Sequence, residues 1–212
     1  MEVHPPHEPI HTFRDFLLHL FTITIGLLIA LGLEAAVENL HHRHIVREAR
    51  ENIRREIEQN QQAVKEDLTS LATNEQNMKN NLVVLRRLRN DPATKDLHMT
   101  YQFNWSSFNE SAWHSARDSG ALTYMPTDEV QRYADLYDGQ EIATNLSTSI
   151  FTDEVQVFAP FMMEGDDNNP SRDEIQSMLH GTAVTYTRLD SLRQIVEQLQ
   201  TSYAGTLQNW KP

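Results

Sequence analysis

Residues 16–33 read FLLHLFTITIGLLIALGL, and no Asp, Glu, Lys or Arg interrupts them. Extended through Ala35 to Val37, the run spans about 30 Å as a helix, the thickness of a bilayer's hydrocarbon core. It is apolar on all sides and longer than a buried core helix needs. It is also too long for the apolar part of a signal peptide. No basic stretch precedes it and no small-residue cleavage site follows. The expectation is a transmembrane helix over 16–37, preceded by a short polar tail (1–15).

One stripe of this helix is unlike its lipid-facing remainder. Thr22, Gly26 and Ala30 recur at four-residue spacing, the pattern that lets two membrane helices approach closely. His19 and Glu34 are the polar groups near the same line. An ion relay through them is the sharper reading. A helix–helix seam with interfacial polar ends is favoured, since the two lie 15 residues apart with only apolar or hydroxyl side chains between.

Downstream, no Gly or Pro occurs before Asp91-Pro92. Val46, Ala49, Ile53, Ile57, Val64, Leu68, Leu71, Met78, Leu82 and Leu85 recur close to a 4-3 alternation, with polar gaps at Asn60 and Glu75. This predicts a long helix over 38–90, ended by Asp91-Pro92. Arg54 and Arg55 follow Glu51 at ion-pairing spacing. Residues 91–126 form an aromatic-rich insertion, with at most a short extended piece, one short helix over 107–119 and Gly120 as its stop. It is expected to cap one end of the bundle. Thr127-Asp128-Glu129 opens the next helix, to about Val157, with Pro160 ending or kinking it. Ser171-Arg172-Asp173-Glu174 is a capping box for the last helix, whose apolar face is Ile175, Met178, Leu179, Ala183, Tyr186, Leu189, Leu192, Val196, Leu199 and Tyr203, with Gly205 closing it. The two helices occupy 127–206 and a tail follows (207–212). The fold class is all-α: a transmembrane helix continuing into a long helix that packs with two further long helices as an antiparallel bundle.

The charge is placed unevenly. Residues 1–90 hold 11 Lys and Arg against 12 Asp and Glu, whereas residues 91–212 hold 7 against 18. A distal part this acidic repels phosphate backbones, so nucleic acid is not an expected partner. Arg14 before the span faces Arg43, Arg47, Arg50, Arg54 and Arg55 after it. The positive-inside rule therefore places the C-terminal domain in the cytoplasm, the periplasm being the alternative.

The chain has no cysteine, which excludes disulfides, thiolate catalysis and cysteine-held metal. His4, His7 and His11 precede the span, and His41, His42 and His44 follow it in HHRH. Nearly adjacent histidines point different ways around a helix, so they are weak metal candidates and no cofactor is expected. His114, Ser115 and Asp118 do not converge as a triad if helical. GDDNNP (165–170) lacks the alternating ligands of a calcium loop. Trp105, Phe108, Trp113 and Tyr124 could line a ligand pocket, but aromatics so placed more often plug a bundle.

The anchor sequence at 23–34, ITIGLLIALGLE, the Arg/Glu-rich helix after it, and SARDSGALTYMPTDEVQRYADLY at 115–137 together resemble a bacterial family of single-pass membrane proteins known only as a domain of unknown function. The resemblance covers about residues 15–140 and implies a bacterial membrane protein, without an activity; the expected location is the inner membrane. The expected function is a non-catalytic, membrane-anchored structural or interaction subunit. Its partners would be the lipid bilayer and either further copies of itself or other membrane-protein subunits. A membrane-anchored ligand sensor is the alternative, and a histidine-based metal or haem protein the second.

Overall fold

The computed structural model describes residues 12–91, 94, 98–164 and 170–210, with backbone alone for 160–164. Its first element, α1 (Phe13–Asn90), is a single uninterrupted helix of 78 residues, about 117 Å long. Thr12 caps its start by accepting from the Asp15 amide, and Asp91 leaves helical geometry at its end. α2 (Ser111–Asp118) is short, and Gly120, at φ 76°, turns the chain into a 3-10 turn at Ala121–Tyr124. That left-handed position suits glycine, which has no Cβ to clash. α3 (Thr127–Glu164) and α4 (Arg172–Gln208) follow. Among the described residues there is no strand.

Cross-element contacts set the directions. Arg50 and Glu56 of α1 meet Glu129 and Tyr137 of α3, so α1 and α3 run parallel. Arg193 of α4 pairs with Glu75 of α1, while Gly139 and Gly181 face Leu199 and Val157, so α4 runs back between them. The all-α bundle expected from periodicity is therefore present, with α4 packed against both α1 and α3. Its core joins Ile53, Ile57, Val64, Leu71 and Met78 to Ala143, Ile150, Leu189, Leu192, Val196 and Tyr203.

The second lane of this up-down-up-down arrangement is not a helix. Residues 98–110 descend α1 in an irregular, extended course, and α2 completes the descent. The insertion thus lies along the bundle instead of capping an end. Tyr101, Phe103 and Trp105 turn inward and alternate with exposed Gln102 and Asn104.

Three further expectations change. α3 continues through Pro160 to Glu164; a proline there removes one hydrogen bond in the last turns, where fewer residues depend on it. α4 runs through Gly205 to Gln208. The capping box at its start is formed, Glu174 N donating to Ser171 Oγ at 3.3 Å and Ser171 N to Glu174 Oε2 at 2.6 Å. On α4, Thr182 and Thr185 are buried where Ala183 and Tyr186 were expected. Ala183 is exposed, and Tyr186 lies under the Lys79 ammonium, 5.4 Å from its ring centre.

Candidate functional site

Every residue from 12 to 41 is exposed. α1 therefore projects about 45 Å ahead of the bundle, and residues 16–33 are the uninterrupted apolar part of that projection. The helix is long and apolar enough to cross a membrane, and none of its most apolar stretch is buried. Phe16, Leu20, Phe21, Ile23, Leu27, Leu28 and Leu31 all stand open on it. Apolar area of this extent costs about 25 cal/mol per Å² in water, and soluble chains rarely expose such a patch. The hydroxyls within it are satisfied by their own helix: Thr22 Oγ1 donates to Leu18 O at 2.9 Å and Thr24 Oγ1 to Leu20 O at 2.8 Å. A Cβ on Gly26 would meet nothing within 4 Å, so the Thr22, Gly26 and Ala30 stripe is an open surface in the single chain, as are His19 and Glu34.

The histidines after the span separate. His42 stacks on Tyr124, ring centres 3.7 Å apart, with Glu38 at 3.8 Å. His44 accompanies Arg47 at 3.2 Å and Glu48 at 4.0 Å. The His41 ring centre is 6.2 Å from that of His42. Among the described residues no three His, Cys, Asp or Glu are placed to hold a metal. His4, His7 and His11, and residues 165–169 of the loop, lie outside the described residues. His114 pairs with Glu110 and Asp118 with Arg117, so no triad forms among His114, Ser115 and Asp118.

At this end of the bundle α3 begins beside α1. Arg50 grips Glu129 with two hydrogen bonds, Nε to Oε1 at 2.8 Å and Nη2 to Oε2 at 2.7 Å. The Tyr133 hydroxyl donates to the same carboxylate, and its pKa is raised, mainly by burial. One turn farther along, Glu56 is buried and accepts from the Tyr137 hydroxyl at 2.6 Å, from Ala112 N at 2.7 Å and from Trp113 N at 3.4 Å. The N-cap residue of α2, Glu110, makes no side-chain cap of its own. Glu56 thus caps α2 from another helix, where a carboxylate is also favoured by the helix dipole.

A polar line continues up α1. Asn60, Asp67, Asn74 and Asn81 are all buried and fall seven residues apart. Asn60 makes a double clamp on Asn109, Nδ2 to its carbonyl at 2.8 Å and its amide to Oδ1 at 2.9 Å. Asp67 accepts from Ser106 N at 2.9 Å. Asn81 repeats the double clamp on Thr100, at 2.8 and 2.9 Å. The spacing has a geometric origin. Seven helical residues rise about 10.5 Å, and three extended residues cover about the same length. Asn60 and Asp67 therefore meet residues three apart, and Asp67 and Asn81, two heptads apart, meet residues six apart. The clamps hold main-chain atoms, so they fix register without reading side chains.

Not every polar group inside is satisfied. Asp67 Oδ2, Asn74 Nδ2, Trp105 Nε1, both amide atoms of Gln140, Glu154 Oε1 and the Tyr203 hydroxyl are buried without a partner in hydrogen-bond geometry among the described residues. Burial alone holds the Glu154 carboxyl up at about 7, and burial first among its causes also raises Asp67.

The periodicity in the sequence located most of the apolar seam but missed this ladder. It put Leu68 and Leu82 in the seam, where the structure leaves them partly exposed, and treated Asn60 as a gap. The available signal was the seven-residue recurrence of Asn and Asp. Trp105, Phe108 and Trp113 pack into the bundle, Trp113 stacking on Tyr137 at 5.1 Å and Trp105 meeting Phe108 edge-on at 5.5 Å. No family model matches the chain, and neither a curated protein nor a solved structure matches it.

Proposed function

We propose that this chain is a non-catalytic subunit anchored in a bacterial inner membrane by the first part of α1, presenting its bundle as a docking or oligomerisation module. The observation that carries the reading is the continuity of α1. One continuous helix joins the bare apolar rod to the packed bundle, with no Gly or Pro between Leu33 and Asp91. The open Thr22, Gly26 and Ala30 stripe supports a helix partner within the lipid, a second copy or another membrane subunit. The interior favours a scaffold over an enzyme: its buried carboxylates Glu56 and Asp67 hold main-chain amides. The excess of arginines after the span supports a cytoplasmic bundle.

Three measurements test this. The chain should resist carbonate extraction from membranes. A reporter fused to the C-terminus should be active on the cytoplasmic side. In native membranes, a photocrosslinker at position 26 should capture a helix partner. Release by carbonate removes the anchor; a protease-accessible C-terminus in intact spheroplasts reverses the orientation; an uncrosslinked monomer removes the docking role.

A further inference from the structure

Just beyond the apolar rod, α1 and the 3-10 turn enclose a groove of ≈ 740 Å³, whose lining includes Asn39, His42, Arg43, Arg47, Tyr124 and Pro126. We infer that this groove binds the phosphate headgroup of an anionic phospholipid, with an acyl chain lying down the same face of α1. The inference rests on the membrane reading above and names the lipid chemistry that reading leaves open.

Four observations converge. The first is charge. Arg50, Arg54 and Arg55 each have a carboxylate partner, Glu129 for the first and Glu51 for the other two. Arg43 and Arg47, both exposed, have no carboxylate partner among the described residues; Arg47 reaches only the ring of His44. In a chain of net charge -12, two unpaired guanidinium groups beside one groove are a local anion site.

The second is depth. Arg43 stands six residues beyond Val37, about 9 Å along the helix. The polar headgroup zone is about 5–8 Å thick on each side of the hydrocarbon. Side chains on a helix lean toward its N-terminus, which here is toward the bilayer. The Arg43 guanidinium therefore reaches the phosphate level.

The third is the face. At about 100° per residue, Asn39, Arg43, Val46 and Arg47 share one side of α1, and Gly32, Ala35 and Ala36 continue that side downward. A Cβ on Gly32 would meet nothing within 4 Å. These small residues leave room for an acyl chain to approach the backbone below its headgroup. Glu34 and Glu48 fall on the far side of the helix, while the two carboxylates that flank the groove are engaged by other cations, Glu38 beside His42 at 3.8 Å and Glu51 with Arg54 and Arg55.

The fourth is the wall. Tyr124, about half exposed, is held by the stack on His42 and presents an aromatic ring with a polar tip at the height where such rings favour a membrane interface.

The test uses the full chain reconstituted in nanodiscs of phosphatidylcholine doped with phosphatidylglycerol, compared with Arg43→Gln, Arg47→Gln, the double variant and Arg54→Gln. Lipid retained on release from the disc is read by native mass spectrometry. The intact chain should retain phosphatidylglycerol over phosphatidylcholine. The preference should fall about 5-fold for each single variant at 43 or 47 and about 30-fold for the pair, with Arg54→Gln unchanged. Equal retention by the double variant overturns the site. Displacement of phosphatidylglycerol by millimolar inorganic phosphate overturns the lipid assignment in favour of a soluble anion. A chain that enters the discs without preference defeats this inference alone, whereas a chain that never enters them defeats the membrane reading and this inference with it.

Discussion

The Tyr137 hydroxyl of α3 donates a 2.6 Å hydrogen bond to Glu56 of α1, and that same carboxylate caps α2 through the amides of Ala112 and Trp113. Three elements separated by up to 81 residues are thus tied to one side chain. Charge-assisted hydrogen bonds of this kind are the strong ones, and the carboxylate raises the Tyr137 pKa further after burial has already done so.

Glu56→Ala should cost about 3–5 kcal/mol, because it leaves two amides and a hydroxyl buried without partners. Tyr137→Phe removes one donor and should cost about 1–2 kcal/mol. Urea unfolding in detergent measures both. A loss below 1 kcal/mol for Glu56→Ala would show that α2 is held by its aromatic packing alone.

The ladder makes an asymmetric prediction. Asn60 and Asn81 each hold two main-chain atoms, and replacing either by Leu should cost about 2–4 kcal/mol. Asn74 sits on the same line with its Nδ2 unpaired, so Asn74→Leu should be near neutral or stabilising. Equal costs at all three positions would contradict the clamp geometry.

Glu154 sets a pH dependence. Its carboxyl is raised from 4.5 to about 7 by desolvation, so the folded protein binds its proton more tightly than the unfolded chain does. The stabilisation is fully present below about pH 4.5, is lost as pH rises to about 7, and is flat above. Over that window the loss should be about 3 kcal/mol, with Asp67 contributing in the same direction. Glu154→Gln should flatten most of the slope in thermal melts between pH 4.5 and 8. Parallel curves for the variant and the parent would exclude Glu154 as the cause.

At Gly181 a Cβ would come within 2.3 Å of Val157 Cγ2. Gly181→Ala gains about 1 kcal/mol in helix propensity but must displace α3 or rotate a stiff β-branched side chain. A net loss of about 1–2 kcal/mol is expected. The double change Gly181→Ala, Val157→Ala should recover the clash component, which a double-mutant cycle reads directly.

Leu27→Arg places a charge near the middle of the apolar rod and should cost about 3–4 kcal/mol of insertion free energy. The fraction of chain resisting carbonate extraction should fall sharply. An unchanged fraction would mean that this stretch is not solvated by lipid tails.

Local chemistry was enough to place the helices, though not the start of α2 or the ends of α3 and α4. The bare run at 16–33, the absence of Gly and Pro up to Asp91-Pro92, and the Ser171–Glu174 box each act within a few residues, so they read directly from the chain. The i,i+3 pair of Arg54 with Glu51 is local in the same sense, and the structure forms it at 3.0 Å. What the tertiary structure decided is the fate of polar residues on the seam. The seven-residue recurrence puts Asn60, Asp67 and Asn81 on one face of the helix, but it does not say that the face is buried. That follows only once an extended segment lies antiparallel to the helix, its three-residue advance matching one heptad's rise. The same holds for Glu56, whose burial depends on α2 and Tyr137 arriving from elsewhere, and for His42, whose partner Tyr124 is 82 positions away. Periodicity reports which side of a helix is covered; it does not report whether the cover is a side chain or a main chain, and here the main chain made asparagine the better neighbour.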